Sequence, residues 1–196
     1  DDLPGAEDTL VIYTSDHGEN KGDHGMWWKL CMYEHAVRVP LIVRWPRRWP
    51  GGQRRRGACT LVDLSRTLLH AAGLPAPEDW NGASLLPWLD DPDHPWLDRA
   101  VSEAYGDNIS GFSMIRRGPF KYVYFTRPAP GAPPFRQLFD LERDPDERTN
   151  LADRPEFAAT LARLHADLAA ETGRDPEQIE QLARAALVAR AEESPA

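Results

Sequence analysis

Asp16, His17, His24 and Lys29 fall within a stretch of fourteen residues and are the side chains of this chain best suited to act together. A carboxylate and an imidazole side by side can both reach one divalent cation. Taken alone, Ser15-Asp-His-Gly18 also fits a capped turn with an exposed histidine. Lys29 adds to the pattern. It sits in an apolar frame of Met26, Trp27, Trp28 and Leu30, where an ammonium is costly unless it meets an anion. The competing reading is a lysine that carries its charge out to water. His24 can donate a proton to a leaving group or an anionic oxygen. Together these residues suit a phosphate or sulfate ester, with the metal as Lewis acid and Lys29 neutralising charge on the equatorial oxygens.

Other chemistry is poorly supported. The chain has no Gly-x-Ser-x-Gly elbow, no glycine-rich phosphate loop and no dinucleotide fingerprint. Cys31 lies in the same stretch and can be pictured as a thiol nucleophile, but it has no obvious activating setting. Cys31 and Cys59 fit no metal spacing and no disulfide framework, so they leave the compartment undecided. Glu34 and Arg38, four apart, read as a structural pair with His35 between them unassigned. His70, His94 and His165 read as structural or exposed. Six arginines between Arg44 and Arg56 form either an anion patch or a solvated turn. The turn is favoured, because no aromatic interleaving or helical spacing organises the charges.

The elements that must position these residues are set by periodicity. Residues 9–14 are a short run of β-formers and read as a buried strand. Asp16 and His17 therefore lie just past its carboxyl end, where open α/β sheets bind ligands. Residues 15–36 are polar, glycine-punctuated and aromatic, as active-site loops are. A second strand is expected over 37–45, with Pro40 near its opening. Parallel strands need neighbours supplied by crossovers. The residues after this strand can build only part of such a sheet, so the chain reads as a fragment of a larger protein. Residues 60–72 predict an amphipathic helix with Leu61, Leu64, Leu68 and Ala72 on one face, stopped by Gly73 and Pro75. Residues 75–98 read as ordered coil with one helical turn at 84–89.

From residue 99 the pattern switches. Short strands are expected at 100–105, 112–116, 120–125 and 137–141, the middle two joined by Arg117-Gly-Pro119. With no helices between them, they form a small antiparallel sheet distinct from the parallel one. Phe157, Leu161, Leu164 and Leu168 then recur at helical spacing. A last helix opens at Asp175 with Pro176 in first position and Gln178 two later, presenting Ile179, Leu182, Ala186 and Ala189 on one face. The fold class is α/β, with a boundary between residues 98 and 99. Apolar residues make up 41% and charged ones 28%, as in ordinary globular proteins. The net charge of −8 argues against a nucleic-acid or anionic-membrane partner. No apolar run reaches the roughly 18–20 residues of a membrane span.

Several segments carry a resemblance: Thr9-Leu-Val-Ile-Tyr-Thr-Ser-Asp-His-Gly-Glu19, Gly22-Asp-His-Gly25, and Lys29-x-x-x-Tyr-Glu-x-x-Val-Arg-Val-Pro-Leu-Ile42. They continue with Val62-Asp-Leu-x-x-Thr-Leu-Leu-x-x-Ala-Gly-Leu-Pro75, Asn81-Gly-x-Ser-Leu-Leu-Pro87 and Leu138-Phe-Asp-Leu-Glu-x-Asp-Pro-x-Glu-x-x-Asn-Leu151. In this order and spacing they resemble the carboxyl-terminal part of a type I sulfatase, in the alkaline phosphatase superfamily. The resemblance implies an α/β architecture: part of a mixed or parallel sheet sandwich over 1–98, then a small four-stranded antiparallel sheet with packed helices over 99–196. It implies that Asp16 and His17 bind the active-site divalent cation, His17 standing where many sulfatases have Asn. Calcium is the usual ion, and a histidine ligand also suits manganese or zinc. Lys29 aligns with the lysine that contacts the sulfate group, and His24 with a position that touches substrate or leaving-group oxygen in some members.

The implied substrate is a small-molecule or carbohydrate sulfate ester. Two family features are missing from these 196 residues: the Cys/Ser-x-Pro-x-Arg motif that yields formylglycine, and the amino-terminal Asp pair. The nucleophile and half the metal shell are thus expected outside them. A phosphate or phosphonate ester hydrolase on the same fold, favoured slightly by Asp-His over Asp-Asn, and a non-catalytic anion-binding remnant stay open as alternatives.

Overall fold

A computed structural model describes residues 4–105, 111–127, 129 and 131–193. The chain divides into two compact units. The first comprises Asp1–Lys29 and His35–Asp98, the second Leu30–Glu34 and Arg99–Ala196.

In the first unit, strand β1 (Val11–Thr14) pairs antiparallel with β2 (Leu41–Arg44), Tyr13 facing Ile42 and Ile12 facing Val43. The second strand is shorter than the sequence suggests. Helix α1 (Glu34–Val37) occupies its expected start, and Pro40, which holds its neighbour out of the α region, marks the switch to extended chain. Helix α2 (Leu61–Ala71) opens on a capping box: Thr60 accepts the Asp63 N–H while the Asp63 carboxylate accepts the Thr60 N–H. Its buried face is not the predicted one. Leu64 is buried, but Leu61 and Leu68 are exposed, and the other buried positions are Asp63 and Thr67. The cause is hydrogen bonding: Asp63 accepts the Ala83 N–H and Thr67 the Leu85 N–H, tying the coil before α3 (Leu86–Asp90) onto the helix. Gly82 passes so close that a Cβ would strike the Val62 carbonyl.

In the second unit, β3 (Arg99–Tyr105), β4 (Gly111–Arg117), β5 (Phe120–Phe125) and β6 (Phe135–Asp140) form an antiparallel sheet in sequence order. The expected Arg-Gly-Pro hairpin joins β4 to β5, with Gly118 at φ 56°. Helices α4 (Ala158–Thr172) and α5 (Pro176–Glu193) complete the unit. The core joins Ile115, Tyr122, Tyr124 and Leu138 of the sheet to Leu164 and Leu168, with Phe157 and Leu161 packed against them. That is the expected face of α4. The face of α5 differs: Leu182 is 54% exposed, and its buried residues include Glu180. Glu180 accepts from Tyr124 Oη at 2.8 Å, from the Arg127 N–H at 3.1 Å and from Arg184 at 2.9 Å. A buried charge with this many donors fixes the rotation of a helix that has few large apolar residues. No helix among the described residues is long and apolar enough to cross a membrane.

Candidate active site

β1 ends at Thr14, and the chain turns at once. Ser15 Oγ donates to the His17 carbonyl at 2.8 Å, and Asp16 Oδ1 accepts the His17 N–H at 2.9 Å. Gly18 and Glu19 donate to the carbonyls of Ala36 and His35 at 2.7 and 2.9 Å, lacing the turn to α1. Only glycine fits at 18, because a Cβ would collide with the His35 carbonyl. Buried Asn20 then closes the loop, its main-chain and side-chain N–H groups both donating to the Trp28 carbonyl. Lys21, His24 and Trp28 hold φ of 50°, 51° and 70° inside this closure. Such conformations disfavour non-glycine residues and persist only where the surroundings enforce them.

The closure returns Lys29 to His17, with Nζ 2.7 Å from Nε2. His17 Nδ1 lies 2.8 Å from the Gly18 carbonyl. A carbonyl only accepts, so Nδ1 carries the proton and Nε2 presents its lone pair. That lone pair accepts from Lys29 and lies 3.3 Å from Asp16 Oδ2. The His17 N–H holds the Asp16 carboxyl below the usual carboxylate range, so it is ionised at neutral pH. A carboxylate oxygen and a bare imidazole nitrogen at this separation, the imidazole oriented by a carbonyl behind it, are donors that fit a divalent cation. They are two donors. Among the described residues no group of three or more His, Cys, Asp or Glu side chains could hold a metal ion.

The structure thus brings Asp16, His17 and Lys29 together. The apolar frame of Lys29 is not buried: Trp27 and Trp28 are 68% and 73% exposed, and the ammonium is met by the imidazole. His24 is placed otherwise, its side chain 11% exposed and its Nε2 3.5 Å from Asp23 Oδ2. The same carboxylate pairs with His35 Nδ1 at 2.8 Å, a link between loop and α1 for which the sequence carries no local signal. Cys31 is buried, a poor setting for a thiol nucleophile, and it is not in a disulfide. Several side chains of the arginine-rich turn are occupied structurally. Arg47 meets Asp8, Arg48 meets Asp90 and lies over Trp45 and Trp49, and Arg55 donates to the Trp88 and Leu89 carbonyls.

Residues 22–174 match the family described as N-sulphoglucosamine sulphohydrolase, C-terminal. The chain belongs to this family. It corresponds to the carboxyl-terminal part of type I sulfatases. It is 37% identical over 170 residues to arylsulfatase K of Homo sapiens, covering 80% of this chain and 30% of that protein. It is 35% identical over 165 residues to choline-sulfatase of Rhizobium meliloti (strain 1021), covering 82% of this chain and 30% of that protein. Among solved structures, it is similar to a protein in complex with its substrate D-glucosamine-2-N,6-O-disulfate, with TM-score 0.76, 30% identity, and coverage of 86% of this chain and 35% of that one. It is also similar to the phosphonate monoester hydrolase of Agrobacterium radiobacter, with TM-score 0.71, 31% identity, and coverage of 85% and 35%. The chain therefore spans 30% of the length of these curated relatives.

Within this sulfatase part, the segment Asp140–Leu151 is a structural closure of the small sheet. Asp140 Oδ1 accepts the N–H groups of Glu142 and Arg143, and Asp144 those of Arg148 and Thr149. Asn150 Oδ1 accepts the Leu138 N–H at 2.9 Å while its amide donates to the Arg136 carbonyl at 3.0 Å. With the Leu151 N–H, which donates to the Leu138 carbonyl at 2.9 Å, this side chain pairs backbone groups on the outer edge of β6.

Proposed function

We propose that this chain is the carboxyl-terminal part of a metal-dependent sulfuric ester hydrolase. In this reading it supplies the Asp16–His17 half of the cation site and the Lys29 ammonium for the ester. The observation that carries the reading is the orientation of His17: Nδ1 is committed to the Gly18 carbonyl, and Nε2 faces both Asp16 and Lys29. A bound cation, calcium or with this nitrogen ligand manganese or zinc, would supply Lewis-acid polarisation of an ester oxygen. Asp16 contributes an ionised carboxylate there. Lys29 neutralises charge that builds on the non-bridging ester oxygens, a preorganised electrostatic contribution. His24, held against Asp23, is assigned to proton delivery toward the leaving-group oxygen. The nucleophile, a formylglycine in the sulfatase scheme, is assigned to residues beyond these 196. A sulfated sugar is the favoured substrate class, because one solved relative holds D-glucosamine-2-N,6-O-disulfate as its substrate.

Calorimetric titration of calcium and manganese into the 196-residue chain tests the site. Weak binding is expected, reduced about tenfold or more in Asp16→Ala and in His17→Ala, since a ligand lost from so small a donor set is not replaced. Little or no turnover of p-nitrophenyl sulfate is expected. Robust, metal-dependent hydrolysis by the purified chain would falsify the division of the active site.

A second reading has its own support. The nitrogen donor at His17 and the likeness to a phosphonate monoester hydrolase favour a phosphate or phosphonate ester on the same scaffold. Competition of phenylphosphonate against sulfate for Lys29-dependent binding separates the two. Of the arginine loop that an anion-binding remnant would use, Arg47, Arg48 and Arg55 have structural partners.

A further inference from the structure

His35 grips the loop that carries Asp16, His17 and Lys29 at three points, all within the first unit. Its main-chain carbonyl accepts the Glu19 N–H at 2.9 Å. The same carbonyl lies so close to Gly18 that a Cβ there would strike it. Its ring Nδ1 lies 2.8 Å from Asp23 Oδ2. A carboxylate oxygen accepts, so Nδ1 is the donor. Asp23 is itself tied into the loop, its N–H donating to the Asn20 carbonyl at 3.0 Å and its carbonyl accepting the Met26 N–H at 2.9 Å. His35 stands in α1, a single helical turn, and so short a helix has little stability of its own. The bond from its half-exposed ring to Asp23 anchors that turn on the loop.

What His35 holds is the peptide group that orients His17. The Gly18 carbonyl and the Glu19 N–H belong to one planar unit. Its carbonyl faces His17 Nδ1 at 2.8 Å, and its N–H donates to His35. The Gly18 N–H, on the other side of the same α-carbon, donates to the Ala36 carbonyl at 2.7 Å. Hydrogen bonds in series polarise one another, so the His35 carbonyl makes the Gly18 carbonyl a better acceptor. A rotation of this plane would take away the acceptor that keeps the His17 proton on Nδ1. The proton could then move to Nε2, the nitrogen that faces Asp16 and Lys29. Partners behind a ligating imidazole set its tautomer and its orientation in this way. We infer that His35 is a positioning residue for His17, acting through the Gly18–Glu19 peptide, with its own ring latched to Asp23. The inference rests on the cation-binding role given to His17 under Proposed function.

The test uses the whole 196-residue chain, isotopically labelled, as wild type, His35→Leu, His35→Asn and an exposed control, His94→Ala. At one fixed pH above neutrality, the ring-nitrogen signals of His17 report which nitrogen carries the proton, and amide exchange is followed at Gly18 and Glu19. Wild type and His94→Ala should show one His17 tautomer, protonated on Nδ1. His35→Leu removes the donor to Asp23. It should give a mixture of two tautomers and speed exchange at Gly18 and Glu19 about tenfold. His35→Asn, whose side-chain amide can place an N–H close to the Nδ1 position, should recover the wild-type pattern. If His35→Leu does not fold, Asp23→Ala, which removes the acceptor instead, decides. Faster exchange with an unaltered His17 tautomer means that the latch only closes the loop, and it overturns the inference. Failure of His35→Asn to recover the Nδ1–H tautomer overturns it too. Manganese titration keeps the two readings apart, with about tenfold weaker binding expected in His35→Leu. If His17→Ala binds manganese as well as wild type, the cation role falls, while the tautomer measurement still decides whether His35 positions His17.

Discussion

His17 Nε2 has one lone pair and two claimants. Lys29 donates to it at 2.7 Å, and a cation held with Asp16 would need the same electrons. The two would therefore compete for one atom, and a cation held there by Asp16 and His17 would leave the Lys29 ammonium free to meet an anion. Lys29→Met should accordingly bind manganese more tightly than wild type. Removing one unit charge at about 4 Å in a solvated setting is worth about 1 kcal/mol, or roughly fivefold. Calorimetry of the variant checks it, and equal or weaker manganese affinity would refute the competition. The same variant should bind sulfate less well. At this scale the sequence is informative about which residues meet and silent about how. Asp16, His17 and Lys29 are legible from their types and spacing, but the surroundings of Lys29 are not, because Trp27 and Trp28 are exposed and the partner of Lys29 is an imidazole. Glu34 shows the complementary gap. Spacing pairs it with Arg38, whereas its carboxylate meets Lys121, 87 residues away, which no local pattern could reveal.

Secondary-structure elements are legible where their signals are local. The Arg-Gly-Pro hairpin and the Asp175-Pro176 helix start stand where turn and cap chemistry places them. Helix orientation is less legible, because hydrophobic periodicity assumes that apolar residues choose the buried face. In α2 and α5 polar groups choose it. Asp63 and Thr67 face inward because the N–H groups of Ala83 and Leu85 need acceptors, and Glu180 because Tyr124 and Arg127 converge on it. The consequence is measurable. Asp63→Ala removes the acceptor of both the Thr60 and Ala83 N–H groups. Unsatisfied buried donors cost about 1–3 kcal/mol each, on top of about 1 kcal/mol for a lost cap. Leu68→Ala, at a position that is 50% exposed, should cost far less despite its larger apolar side chain. Urea unfolding of the two variants checks the order, and the reverse order would contradict a polar-anchored α2.

At the scale of the whole molecule, the switch from helix-separated to consecutive strands near residue 99 is legible because strand and turn signals are local. The capture of Leu30–Glu34 by the second unit is not, since it depends on contacts made far along the chain. The two units also differ in how they meet acid. Burial raises the carboxyls of Asp175 and Glu180, but hydrogen bonds outweigh it: from the N–H groups of Glu177 and Gln178 and from His165 in one case, from the Arg127 N–H, Tyr124 and Arg184 in the other. Glu177 is lowered first by its bond from Arg127. Carboxyls depressed in the folded state stabilise it fully above their unfolded pKa of about 4, and this stability is lost as pH falls through the depressed values. Glu147 runs oppositely. Burial, only partly offset by Lys121, raises it, so its contribution is present at low pH and lost as pH rises through its raised pKa. Acid therefore loosens α5 before it disturbs the Glu147–Lys121 pair. In the first unit the Asp90–Arg48 pair lies near the surface, where such pairs contribute little. All seven tryptophans lie in that first unit, whereas α4 and α5 lie in the second. Below about pH 4, helical circular dichroism should fall while tryptophan emission holds. Glu180→Gln should lower stability at neutral pH by about 1–3 kcal/mol and flatten its decline toward acid. Coincident loss of both signals in wild type, or an unchanged acid profile in the variant, would rule out the α5 carboxylates as the acid-sensitive element.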